Sequence, residues 1–169
     1  MVTAAHPAIE RNPAGRVAAR QSMEVVVKLQ RMRAGSIPLP AYATSGAAGL
    51  DLHANLDSEL TLGPMERARI TTGIAVEIPA GFEGQVRPRS GRAIAEGFTL
   101  INAPGTIDSD YRGEIVVLGI NLGNEPVTIR SGDRVAQLVI APVARAQIIE
   151  VEALSASARG PGGLGHTGR

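Results

Sequence analysis

The chain contains no cysteine and no tryptophan, and only two tyrosines and two phenylalanines among 169 residues. Without cysteine there can be no disulfide, thiol nucleophile or cysteine zinc site, and redox chemistry gives no clue to compartment. Its three histidines, His6, His53 and His166, are scattered without metal-ligand spacing, so a histidine metal site is not expected. Charge of one sign is also missing. Seventeen Lys and Arg face sixteen Asp and Glu, a net charge of +1, which lacks the basic excess of a general nucleic-acid binder. No apolar run approaches the roughly 20 residues that span a bilayer, and the N-terminus lacks a signal peptide's apolar core. These absences predict a soluble, cytoplasmic protein that engages neither membrane nor nucleic acid.

What is present suits one domain with a real core. Residues 1–22 are rich in Ala, Pro and Arg, with Val17 their only large apolar residue after Ile9, and are expected to form a disordered extension. From Met23 onward the texture is that of short strands: Glu24 to Leu29, Leu50 to Ala54, parts of Ala68 to Ile78, Phe82 to Arg87, Ile115 to Leu122, Val135 to Ile140 and Ile148 to Val151. Turn signals such as Gly63-Pro64, Pro79-Ala80-Gly81 and Gly132-Asp133 separate them, which predicts an all-β sandwich or barrel. One short helix is expected over Ser90 to Glu96, with Ser90 as its N-cap. The β domain is placed at 23–152, followed by a flexible, glycine-rich C-terminal arm at 153–169.

Five segments carry the chemistry-bearing residues. Gly105-Thr-Ile-Asp-Ser-Asp-Tyr-Arg-Gly-Glu114, with Asn102 upstream, reads as a β-hairpin: glycines relax each end and β-branched residues supply the arms. Its backbone can bond the edge of a flat polar ligand, and Asp108 can polarise a water. Equally, Tyr111 can cap the turn while both aspartates bond their own backbone. Arg87-Pro-Arg-Ser-Gly-Arg92 gathers three arginines around a hydroxyl and a glycine, a composition suited to phosphate or to a solvated basic turn. Gly160-Pro-Gly-Gly-Leu-Gly-His-Thr167 approaches P-loop spacing, yet no strand precedes it and the sequence leaves no helix to follow. Such an arm, with Arg159, can wrap a polyphosphate or remain a tail without consequence. Asp51 and Gln137 are polar residues within strand-like runs, weak signals when taken singly.

In this order and spacing, the five segments resemble the five motifs of the trimeric dUTP pyrophosphatase (dUTPase) family. Ala48-Gly-Leu-Asp-Leu52 matches the first, Arg87 to Gly91 the second, Asn102 with Gly105 to Glu114 the third, Gly132-Asp-Arg-Val-Ala-Gln-Leu138 the fourth, and Arg159 to Gly168 the fifth. The resemblance implies a jelly-roll-like fold and a homotrimer with three shared active sites. Motifs one, two and four would come from one chain, the third from another and the arm from the remaining chain. It implies hydrolysis of dUTP to dUMP and pyrophosphate with Mg²⁺. In that assignment Asp108 activates the water, Asp51 holds metal-bound waters, and Arg89, Ser90 and Gly91 bind phosphates. Gln137 meets the phosphate nearest the attack, and Arg159 acts as an arginine finger. Asn102, Gly105, Thr106, Ile107 and Asp108 read the uracil edge, Tyr111 packs on the deoxyribose and Val116 approaches through its backbone. Leu164, Gly165, His166 and Thr167 close over the substrate. Two departures stand out: Leu164 replaces the usual aromatic, and Arg92 replaces a residue that is usually apolar. The alternatives are a dCTP deaminase-like enzyme, which needs a different residue set after the phosphate-binding serine, and a non-catalytic nucleotide-binding trimer.

Overall fold

A computed structural model of the chain describes residues 24–33 and 37–160. The expected N-terminal extension and the end of the arm, including Leu164, Gly165, His166 and Thr167, lie outside the described residues. Ten strands and one helix follow in order: β1 (Lys28–Arg31), β2 (Leu50–His53), β3 (Leu60–Leu62), β4 (Arg67–Glu77), β5 (Phe82–Arg87), α1 (Ser90–Glu96), β6 (Phe98–Leu100), β7 (Gly105–Ile107), β8 (Glu114–Asn121), β9 (Val127–Ile129) and β10 (Arg134–Pro142). The fold is all-β, as expected. One sheet has the order β1-β4-β8-β6, a second β2-β10-β5-β7, and β3 pairs with β9 in a two-stranded ribbon. Every strand pair is antiparallel.

Period-two alternation turns one face of each sheet inward. Leu52, Val86 and Leu138 from the second sheet meet Ile70, Ile115, Val117 and Phe98 from the first in one continuous core. Burial of such side chains contributes about 1.5–3 kcal/mol each. On β10 the alternation is broken once. Val135 and Ala136 are both buried, and the register with β2 shifts between Arg134 and Ala136. Beyond this bulge Gln137 faces outward, directly opposite Asp51 on one side and Arg87 on the other. The bulge therefore sets three polar residues in a row across adjacent strands.

The expected hairpin does not form. Strand β7 pairs with β5, through Gly84↔Ile107, Gln85↔Thr106 and Val86↔Gly105, whereas β8 pairs with β4 and β6 in the other sheet. Residues 108–113 are a crossover between sheets. At Gly84 a Cβ would lie 2.9 Å from the ends of the Ile78 and Leu138 side chains and 3.2 Å from the Ile107 Cβ, so glycine relieves crowding from the core and from β7 together. Helix α1 has the expected span, but Arg89 is its N-cap and makes no side-chain capping bond, while Ser90 is the first helical residue. The segment Ile148 to Val151 forms no strand, and its apolar side chains Ile148 and Ile149 are exposed. No helix among the described residues is long and apolar enough to cross a membrane.

Candidate active site

Apart from Arg159 and the arm residues outside the described range, the predicted site residues fall into two clefts. The first, about 830 Å³, is lined by Asp51, Arg89, Ser90, Gly91 and Gln137 together with Gln85, Arg87 and Val139. The second, about 450 Å³, is lined by Asn102, Gly105, Thr106, Ile107, Asp108, Tyr111 and Val116, with Arg69 and Leu118. Among the described residues none lines both. Strand β5 explains the division, because Gln85 and Arg87 face the first cleft and Val86 the second.

In the first cleft Asp51 is the electrostatic centre. Arg89 Nε forms an ion pair with its Oδ1 at 3.0 Å and Arg134 Nη1 donates to its Oδ2 at 3.1 Å, with the carboxylate side chain only 16% exposed. The three arginines of the Arg87 to Arg92 segment have separate roles. Arg89 is held by Asp51, Arg87 bonds Gln85 Oε1, and Arg92 turns away to Glu96. Gln137 Nε2 donates to the Pro88 carbonyl at 3.1 Å, which ties β10 to the turn that enters α1. Beside Asp51 on β2, the His53 imidazole has its pKa lowered, chiefly by burial, with Asp51 opposing and Arg134 and Arg89 reinforcing the shift. Its Nδ1 is buried without a hydrogen-bond partner.

Glycines make room for these side chains. A Cβ at Gly49 would sit 2.3 Å from Gln137 Oε1, one at Gly113 2.5 Å from the Tyr111 hydroxyl, and one at Gly105 3.0 Å from Asn102 Nδ2. At Gly91 a Cβ would meet nothing within 4 Å, so the chain's own packing leaves that space open.

The second cleft is built on the crossover. Tyr111 N–H donates to the Asp108 carbonyl at 3.1 Å, the Tyr111 hydroxyl to the Glu114 carbonyl at 2.9 Å, and Arg112 to the Ser109 carbonyl at 2.7 Å. Asp108 is thereby presented, exposed, on a turn braced from both sides. Because β7 is the terminal strand of its sheet, its outer edge has no strand partner among the described residues. Arg159 is exposed near a turn closed by Gly160 N–H to Ser157 C=O, 3.0 Å.

A family model for dUTPase matches residues 35–168. The chain belongs to the dUTPase family. A deoxyuridine 5'-triphosphate nucleotidohydrolase from Anaeromyxobacter sp. (strain Fw109-5) is 58% identical over 149 residues, covering 87% of this chain and 100% of that relative. One from Caldanaerobacter subterraneus subsp. tengcongensis is 54% identical over 147 residues, covering 86% and 99%. Among solved structures, Staphylococcus bacteriophage 80alpha dUTPase with dUPNHPP superposes with a TM-score of 0.76 at 26% identity, covering 85% of this chain and 99% of that one. As a dUTPase, this chain is a dUTP diphosphatase. Arg134 is the residue whose part in the site sequence reasoning missed. It stood within the fourth motif, and only its pairing with Asp51 across the sheet reveals what it does.

Proposed function

We propose that the working site of this dUTPase is assembled from different subunits of a homotrimer, with the Arg89 cleft of one chain facing the Asp108 cleft of another. The observation that carries this reading is the division itself: Arg89, Ser90, Gly91 and Gln137, assigned here to the phosphates, and Asp108, assigned to the attacking water, line separate clefts of one chain. Exposed Ile148, Ile149, Val151 and Leu154 lead into the arm, which suits a segment that packs on a neighbour instead of its own chain. Arg159 and Leu164 to Thr167 would then reach the site from a third subunit.

In this arrangement the outer edge of β7, from Gly105 to Asp108, and Asn102 bind the uracil edge. Fixed backbone polarity matches uracil and leaves groups unpaired against cytosine. Tyr111, held by its bond to Glu114, packs on the deoxyribose and excludes a ribose 2′-hydroxyl, while Val116 closes the pocket. Arg89, Ser90 and Gly91 bind the phosphates and Gln137 the α-phosphate. Asp108 accepts a proton from water as its oxygen bonds to the α-phosphorus. The bond from that phosphorus to the bridging oxygen breaks, and pyrophosphate leaves. Arg159 offsets charge at the terminal phosphates.

The donor set fits hydrated Mg²⁺ carried on substrate oxygens. Among the described residues no three His, Cys, Asp or Glu side chains gather to cage a metal ion. Asp51, with each oxygen already bound by an arginine, is suited to hold metal-bound water. When bound, the ion supplies charge neutralisation on the phosphates. Removal of dUTP keeps uracil out of DNA, and the dUMP released is available for thymidylate synthesis.

The test is chromatography of products after incubation with magnesium and, separately, dUTP, dCTP, dTTP or UTP. Release of dUMP and pyrophosphate from dUTP alone is expected. Uridine products from dCTP would establish a deaminase, and binding without turnover a nucleotide-binding trimer.

A further inference from the structure

Helix α1 carries Ser90 and Gly91 into the first cleft, yet it buries none of its seven residues. Its ends are fixed through the backbone. At the C-terminal end Gly97 lies in the left-handed region, at φ 72°, and packs so closely on the loop between β8 and β9 that a Cβ would sit 2.3 Å from the Gly123 nitrogen. At the other end Pro88 is bonded by Gln137. Between these anchors the helix meets the core through a side chain. Arg92 is the one residue of α1 that is not exposed. Its guanidinium carbon lies 4.8 Å from the centroid of the Phe98 ring, and Nε and Nη2 donate to Glu96 Oε2 at 2.8 and 2.6 Å. The arginine side chain is 12% exposed and Phe98 is 1% exposed, so the contact is anchored in the core.

We propose that Arg92 is a positioning residue for the phosphate-binding turn. Its stem and guanidinium cover Phe98 where an apolar side chain would otherwise pack, and the Glu96 carboxylate keeps the guanidinium flat against the ring. At about 100° per residue, a helix with Arg92 turned to the core directs Ser90 about 160° away from it. The roll set by Arg92 is the roll that aims Ser90 and opens Gly91 to the cleft. This third arginine acts on the substrate through Ser90 and Gly91, without touching it.

The proposal rests on the dUTPase reading, and the experiment separates the two. Steady-state kinetics with dUTP and melting temperatures are measured for the full-length wild type, Arg92→Ala, Arg92→Leu and Glu96→Gln. Arg92→Ala should raise KM about tenfold with a smaller effect on kcat, because the phosphate-binding groups are misplaced. Arg92→Leu, which restores apolar cover on Phe98, should return KM to within about threefold of wild type. Glu96→Gln should raise KM less than Arg92→Ala does. Equal KM losses in the leucine and alanine variants would make Arg92 a direct phosphate ligand and overturn the proposal. So would a lower melting temperature with KM unchanged. Should Arg92→Ala not fold, wild-type KM in both Arg92→Leu and Glu96→Gln would support positioning by cover alone, and a tenfold loss in Arg92→Leu would refute it. An inactive wild type would sink the dUTPase reading and leave the Arg92 contact as packing.

Discussion

Gly91→Ala separates packing from ligand binding at a single methyl group. Gly91 is the second residue of α1, and a Cβ there meets nothing within 4 Å. On stability the substitution should be neutral or favourable. Alanine exceeds glycine by about 0.5–1 kcal/mol in a helix interior, and less in the first turn, so the melting temperature should hold or rise by roughly 1–4 °C. If the space belongs to a phosphate, the methyl obstructs it. A tenfold rise in KM corresponds to about 1.4 kcal/mol, a reasonable loss for one displaced contact. Gly49→Ala is the contrasting case, in which stability falls and, because Gln137 is assigned to the α-phosphate, KM rises as well. Its Cβ would sit 2.3 Å from Gln137 Oε1, so it should cost about 1–3 kcal/mol of stability as Gln137 is displaced. Thermal melts and dUTP kinetics on both variants provide the assay. A Gly91→Ala enzyme with wild-type KM and kcat would refute the claim that the open space serves the substrate.

Two further outcomes follow from the clefts. Asp108→Asn should abolish turnover while calorimetry with a non-hydrolysable dUTP analogue shows nearly unchanged affinity; lost affinity in a folded protein would remove the water-activating role. His53 resists protonation when folded, because burial lowers its pKa from the ordinary 6.5. The unfolded chain takes up that proton at the ordinary value, so this contribution to stability is present above pH 6.5 and is lost as pH falls toward the folded pKa. Urea midpoints should therefore decline more steeply between pH 7 and 5 in the wild type than in His53→Gln, and parallel slopes would exclude the effect.

Local signals carried much of the fold. β5 and α1 have the bounds that alternation and turn residues indicate, because each is a short element whose limits are set by its own neighbours. The three-residue strands β3, β6 and β9 were illegible, since three residues hold too little periodicity. The Gly105 to Glu114 hairpin failed for a different reason. Glycine spacing and β-branched residues suit a hairpin or a crossover equally, and the partner that β7 takes instead, β5, lies some twenty residues upstream, outside the segment that carries those signals. At the site, the motifs named the right residue types. Their division between two clefts depends on which face of β5 each neighbour meets, and no single segment encodes it. Arg92 shows the same limit: in the sequence it stands only as a departure from a usually apolar position, and the structure places it on Phe98 and its own helix's Glu96.

The most direct test of the shared site is complementation between two inactive variants. Arg89→Ala damages the first cleft and leaves Asp108 intact, while Asp108→Asn does the reverse. Each is purified alone, and the two are mixed under conditions that exchange subunits, then assayed with dUTP. If the clefts meet across chains, random mixing gives about a quarter of the sites an intact pair, and activity should return toward that fraction of wild type. Activity that stays at the level of the separate variants, with exchange verified by mass spectrometry, would place both clefts' work within one chain and contradict the account.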